Sequence, residues 1–119
     1  MSIRIGIYGY GNLGRGVEAA TKYHTDTELV GIFTRRAPES LKTQSPEVPV
    51  YNIKDILDKK DDIDVMILCG GSATDLPQQT PALAAMFNVV DSFDTHARIP
   101  EHFAACDAAA REAGTVTLI

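Results

Sequence analysis

The stretch that decides the fold is Ile3-Arg4-Ile5-Gly6-Ile7-Tyr8-Gly9-Tyr10-Gly11-Asn12-Leu13-Gly14. Its first half is a short, mostly apolar run rich in β-branched residues, which reads as a strand buried on both faces of a parallel sheet. Its second half is a glycine cluster, and from Asn12 to His24 the apolar residues recur at helical spacing. A strand that runs through G-x-G-x-x-G into a helix is the setting in which each glycine has a physical task. Gly9 makes the tight turn, Gly11 lets the backbone approach a pyrophosphate, and Gly14 lets the helix pack closely on the strand. The unpaired N–H groups of the first helical turn then face the phosphates, with the positive end of the helix dipole behind them. The bland alternative is a tight strand-to-helix turn with no ligand, which the same glycines would also permit.

Outward from this point, strands and helices alternate. Leu29 to Phe33 reads as a second strand and Arg35 to Pro49 as a polar, proline-punctuated loop before a short strand near Val50. Ile53, Ile56 and Leu57 form a short amphipathic helix, expected to end at the charged run Asp58 to Asp62. Asp64 to Leu68 is an inner strand, followed by a turn at Cys69-Gly70-Gly71-Ser72. Leu76 to Phe87 reads as a helix with Pro77 in its first turn, and Pro81 predicts a break or a late start. Asn88 to Asp91 is a strand. Ile99 to Ala113 is an alanine-rich helix stopped by Gly114, and Thr115 to Ile119 is a last buried strand, after which further chain is expected. The alternation predicts an α/β, doubly wound, mostly parallel sheet of the Rossmann type, covered by helices through right-handed crossovers.

A chain of 119 residues fits one domain, and 45% hydrophobic content is enough for one core. The net charge of −5 argues against a nucleic-acid partner, which would need a basic face. No apolar run approaches the roughly 18 to 20 residues that cross a bilayer, and the start of the chain does not read as a signal peptide, so a cytoplasmic location is expected. Cys69 and Cys106 lack metal-ligand spacing, as do His24, His96 and His102, so neither a metal site nor a disulfide framework is expected.

The residues after the second strand choose the cofactor. An acidic residue there binds a ribose 2′-hydroxyl, whereas arginine pairs with a 2′-phosphate, at ~20 residues past the glycine turn. This chain has Thr34-Arg35-Arg36, whose hydroxyl and two guanidinium groups suit a dianionic phosphate. NADP is therefore expected over NAD, against the alternative of a solvated arginine pair at a loop start. In open α/β sheets the remaining ligand contacts come from loops beyond the carboxyl ends of the strands. These are Cys69-Gly70-Gly71-Ser72-Ala73-Thr74-Asp75 and Asp91-Ser92-Phe93-Asp94-Thr95-His96. Taken singly, Asp75 reads equally as a helix N-cap, Asp91 as a turn residue and His96 as a loop histidine.

Together, GYGNLG at 9–14, FTRR at 33–36, DVMILCGGSATD at 64–75 and VDSFDTH at 90–96 closely resemble meso-diaminopimelate dehydrogenase, in its N-terminal dinucleotide-binding domain. The resemblance covers essentially the whole chain, and CGGSATD with VDSFDTH is far more specific than the glycine motif. It implies an NADP-dependent oxidoreductase that reversibly deaminates the D-centre of meso-2,6-diaminopimelate to L-2-amino-6-oxopimelate and ammonia, a homodimer of lysine and cell-wall precursor biosynthesis. Carried over residue by residue, it implies cofactor contacts at Gly9, Tyr10, Gly11, Asn12 and Leu13, at Thr34, Arg35 and Arg36, at Cys69, Gly70, Gly71 and Ser72, and at Ser92, Phe93 and Asp94. Asp94 matches the substrate-contacting carboxylate, with a catalytic role in holding and deprotonating the ammonium. Residues 1–119 then form the dinucleotide-binding domain, and the family's second domain, which supplies most substrate contacts and much of the dimer interface, is absent from this chain. Catalysis by the chain alone is not implied. The competing expectations are a stand-alone NADP-binding sensor or subunit, and a different oxidoreductase built on the same domain.

Overall fold

In the computed structural model, which describes residues 2–119, six strands form one all-parallel sheet in the order β3-β2-β1-β4-β5-β6. The strands are β1 (Ile3–Tyr8), β2 (Thr27–Thr34), β3 (Val50–Asn52), β4 (Val65–Leu68), β5 (Asn88–Val90) and β6 (Thr117–Leu118). The helices are α1 (Asn12–Tyr23), α2 (Leu76–Ala84) and α3 (Ile99–Ala113). Central β1 lies between β2, with Tyr8 opposite Phe33, and β4, with Tyr8 opposite Leu68. Strand order reverses between β1 and β4, which opens a crevice at their carboxyl ends. The doubly wound parallel sheet read from the sequence is what forms.

Successive side chains of a strand face opposite sides of a sheet, and the core divides accordingly. Ile7 and Ile32 pack with Tyr10 and Val48 on the α1 side. Phe33, Met66 and Leu68 pack with Leu76, Leu83, Phe87, Val89 and Phe93 on the other. At the opposite end of the sheet from the crevice, Arg4 grips Asp64 through its main-chain N–H at 2.8 Å and its guanidinium at 3.0 and 3.2 Å. These bonds hold the Asp64 carboxyl below its ordinary range and align the starts of β1 and β4.

Three local expectations are corrected. The charged run does not end a short helix after Leu57: one 3₁₀ spiral runs from Ile53 to Asp62, entered through the Asn52 side chain, which accepts the Lys54 N–H at 3.0 Å. With three residues per turn, Ile53, Ile56 and Lys59 share one stripe. Ile56 is accordingly buried, Lys59 sits over the Tyr51 ring at 4.6 Å, and Leu57 is left 67% exposed. Nor does Pro81 break α2 or delay its start. The helix is continuous from Leu76 to Ala84, and the proline removes the N–H that would bond the Pro77 carbonyl. It stops short of Phe87, because the Met86 and Phe87 N–H groups both turn back onto the Leu83 carbonyl at 2.9 and 2.8 Å. Finally, the last strand is two residues at an exposed sheet edge, not five buried ones, since three-residue β5 offers it pairing only at Val89 and Val90.

Phe33 is fully buried beside Tyr51, with ring centroids 5.4 Å apart, and it joins β2 to the larger core. Phe33→Ala is expected to lower stability by about 3–5 kcal/mol through lost burial and a residual cavity. Urea unfolding followed by circular dichroism measures this, and a loss under ~1 kcal/mol would show that the neighbours collapse to fill the space.

Candidate functional site

The loops leaving the carboxyl ends of β1, β2 and β4 enclose a cleft over the point where strand order reverses. Gly9, Tyr10 and Gly11 form its floor, Thr34, Arg35 and Arg36 one wall, and Cys69, Gly70, Gly71 and Asp75 the other. Gly9 has φ +100°, a left-handed conformation that side chains disfavour, and its N–H donates to the Phe33 carbonyl at 2.9 Å. Gly14 lies so close to this turn that a Cβ there would collide with the Gly9 carbonyl oxygen. A Cβ on Gly11 would instead project into open space. No side chain caps α1, so its first-turn N–H groups face the cleft mouth with the positive end of the helix dipole. Open backbone donors beside two guanidinium groups fit the diphosphate and extra phosphate of a dinucleotide.

Thr34 is buried, and its hydroxyl accepts the Arg36 N–H at 3.1 Å, a turn that sends the two arginines apart. The Arg36 guanidinium donates to the Tyr10 carbonyl at 2.7 Å. Arg35 reaches across the cleft to Asp75, at 3.3 Å between Nη1 and Oδ1. The Asp75 carboxylate also accepts the Gly71 N–H at 2.9 Å. Asp75 therefore stands at the N-cap position of α2 without capping it, and its side chain serves the cleft instead.

The other expected site residues divide into two groups. Asn12 and Leu13 are exposed at the start of α1. Ser72 joins the two inner loops, its hydroxyl oxygen accepting the Asp94 N–H at 2.7 Å and the Thr95 hydroxyl at 3.2 Å. Ser92 donates to the Leu68 carbonyl at 2.9 Å, and the exposed Asp94 carboxylate is left beside the cleft loop. Phe93, expected along the nicotinamide half, has its ring buried and stacked on His102 at 4.0 Å, with its main chain in the loop after β5. Cys69 is half-buried on the cleft wall, where burial pushes its thiol up to about 11.

Beneath Asp94 lies a buried polar group that sequence spacing does not show. One Asp91 oxygen accepts the Phe93 N–H at 2.7 Å, the turn role read from the sequence, and the other meets His102 Nε2 at 2.5 Å. Cys106 Sγ lies 3.6 Å from the same nitrogen. The three ligand-type atoms lie within 4.8 Å of one another, and burial, with the nearby Asp91, pushes the Cys106 thiol up to about 11. Arg15, whose guanidinium lies 5.4 Å from the Tyr10 ring centroid, was also missed, since nothing in a helical pattern marks which exposed arginine turns back over the preceding loop.

Comparison with known proteins gives three kinds of likeness. Residues 3–92 match a family described as an oxidoreductase family with an NAD-binding Rossmann fold. The meso-diaminopimelate D-dehydrogenase of Ureibacillus thermosphaericus is 60% identical over 117 residues, which cover 98% of this chain and 36% of that protein. The crystal structure of Corynebacterium glutamicum DAP dehydrogenase in complex with DAP superimposes with a TM-score of 0.92 at 46% identity, covering 99% of this chain and 35% of that one. An engineered D-amino acid dehydrogenase bound to NADP+ gives a TM-score of 0.91 at 45% identity, over 98% of this chain and 35% of its own. The chain thus spans about a third of the length of the curated relatives it matches.

A thiol whose pKa is about 11 is only about one-thousandth ionised at pH 8, so Cys69 should react with iodoacetamide roughly 100-fold more slowly than an unperturbed cysteine. The rate should climb as pH rises toward that value. Peptide mapping of timed alkylation reads this out, and a Cys69 rate equal to that of the urea-unfolded chain would contradict the burial.

Proposed function

The chain belongs to the oxidoreductase family with an NAD-binding Rossmann fold, and from that premise we propose that residues 1–119 are the cofactor domain of an NADP-dependent meso-diaminopimelate D-dehydrogenase. The observation that carries this reading is the pair of guanidinium groups on Arg35 and Arg36 flanking a cleft whose floor is the uncapped N-terminus of α1. In a chain of net charge −5, such a local concentration of cations is best explained by an anionic ligand. Thr34, Arg35 and Arg36 hold the adenosine 2′-phosphate. The backbone of Gly9, Tyr10, Gly11, Asn12 and Leu13 holds the pyrophosphate, and Cys69 to Ser72, with Ser92, run along the nicotinamide half. Phe93 contributes through the loop that its buried ring anchors, not through stacking on the cofactor.

The reaction is the reversible oxidative deamination of the D-centre of meso-2,6-diaminopimelate, with water supplying the new carbonyl oxygen, to L-2-amino-6-oxopimelate and ammonia; a nicotinamide held in the cleft would supply the hydride acceptor. Asp94 is the catalytic carboxylate. Held by Ser72 at its main-chain N–H, it is free at its side chain to bind the substrate ammonium and take the proton that must leave. The relatives' additional length supports a second domain that completes the substrate pocket and a homodimer interface. A cytoplasmic enzyme of lysine and cell-wall precursor biosynthesis, without nucleic-acid or membrane partners, accords with the acidic composition. No helix among the described residues is long and apolar enough to cross a membrane.

Titration of the chain with NADPH and NADH tests the cofactor reading. NADPH should bind more tightly, and Arg35→Ala/Arg36→Ala should weaken NADPH by roughly 100-fold while changing NADH little, as expected for the loss of two charge-assisted contacts. Equal losses for both would remove the 2′-phosphate assignment. In the full-length enzyme, Asp94→Ala should abolish turnover of meso-diaminopimelate with NADPH affinity retained, and surviving turnover would exclude Asp94 as the base.

A further inference from the structure

Tyr10 is the residue of the phosphate turn that turns its side chain into the core. It is 6% exposed and packs with Ile7, Ile32 and Val48, while Gly11, Asn12 and Leu13 beside it face solvent. Its hydroxyl donates to Glu18 Oε1, one helical face further along α1, and Glu18 is fully buried. Glu18 Oε2 has no hydrogen-bond partner among the described residues. Burial, and next the bond to Glu18, push the Tyr10 phenol above its ordinary range. A buried carboxyl group with an unsatisfied oxygen is unfavourable compared with an apolar side chain of similar size. Packing alone therefore gives no reason for glutamate at this position.

The opposite ends of Tyr10 supply one. Its carbonyl oxygen receives the Arg36 guanidinium at 2.7 Å, and its ring lies beneath the guanidinium of Arg15. Arg36 is on the cleft wall, and Arg15 is one turn into the helix whose N-terminus closes that cleft. Packing holds the buried ring and the Gln44 main chain also reaches its hydroxyl, while the bond to Glu18 adds a directional tie from α1 itself.

We propose that Glu18 is a positioning residue for the 2′-phosphate site: by holding the Tyr10 hydroxyl it fixes the carbonyl and ring on which Arg36 and Arg15 rest, and so sets the preference for a 2′-phosphorylated dinucleotide. This rests on the NADP reading above. Glu18 touches no cofactor atom in this role. It acts through Tyr10, and its effect falls chiefly on the half of the cofactor that distinguishes NADPH from NADH, because it is the Tyr10 carbonyl that carries Arg36.

The test is to measure NADPH and NADH affinity by fluorescence titration in wild-type, Tyr10→Phe, Glu18→Gln and Tyr10→Phe/Glu18→Leu chains, with thermal melts of each. Tyr10→Phe should weaken NADPH about 10-fold and NADH less than about 2-fold, the scale of one lost hydrogen bond acting on one ligand group. Glu18→Gln, which keeps an oxygen acceptor for the hydroxyl, should retain most of the wild-type selectivity. The all-apolar double variant keeps the core filled and should melt at or above the wild-type temperature while still losing selectivity. An unchanged NADPH/NADH ratio in Tyr10→Phe and in the double variant, or equal losses for both cofactors, would overturn the proposal. A wild-type chain that binds the two cofactors equally would instead remove the NADP reading, and the proposal with it.

Discussion

The absence of a side chain at Gly14, where a Cβ would collide with the Gly9 carbonyl oxygen, sets how closely α1 can follow β1, and the cleft depends on that approach. A side chain at Gly14 would push the helix away and carry its N-terminal donors off the floor of the site. The same turn is held from the other side by the Gly9 N–H on the Phe33 carbonyl, which ties it to the end of β2, where the arginines begin. One bond further, the Cys69 N–H donates to the Tyr8 carbonyl at 2.9 Å and brings the loop after β4 alongside. Three loops from distant parts of the chain thus meet because the backbone of central β1 has hydrogen-bonded neighbours on both sides up to its last residue.

The charges of the cleft are arranged so that they can change partners. Arg35 is paired with Asp75 while two-thirds of its side chain remains exposed, and such an exposed pair contributes only ~0–1 kcal/mol. Arg36 rests on a neutral carbonyl oxygen. Each guanidinium keeps donors beyond the contact it makes here, so the phosphate proposed for this cleft would displace little and gain two cations already in place. Asp75 in turn has the Gly71 N–H as an alternative donor, so releasing Arg35 does not leave it unpaired.

The sheet, its strand sequence and the glycine turn were legible in the sequence because each is set by local residue type: β-branched runs, helical periodicity and glycines at fixed offsets. The arginine pair was legible because its place after β2 follows from the topology. What could not be read depended on side chains meeting across the fold. Asp75 looked like a helix cap because its spacing before Pro77 permits one, and only the crossing of Arg35 over the cleft gives it another partner. Phe93 lies in a polar loop, and the sequence does not show that His102 arrives from α3 to receive its ring. The spiral after Asn52 was misjudged because periodicity over so few residues does not separate three residues per turn from 3.6, while the exposure of Leu57 does.

The loop after β5 shows how one short segment can hold two carboxylates in different states of engagement. Asp91 and Asp94 belong to the same VDSFDTH stretch, yet the Asp91 carboxylate is fully buried with both oxygens occupied, one by the Phe93 N–H and one by His102. Asp94 is exposed, and the bond that places it runs through its main chain to Ser72. The buried member spends its hydrogen-bonding capacity on the loop's shape: the turn at Phe93, the stacking of that ring on His102 and the attachment to α3 all converge on it. Asp91 carries this load, and the Asp94 carboxylate has no hydrogen-bond partner among the described residues. The base role proposed for Asp94 requires both that freedom and a fixed backbone. The division between the two aspartates supplies each from a different residue.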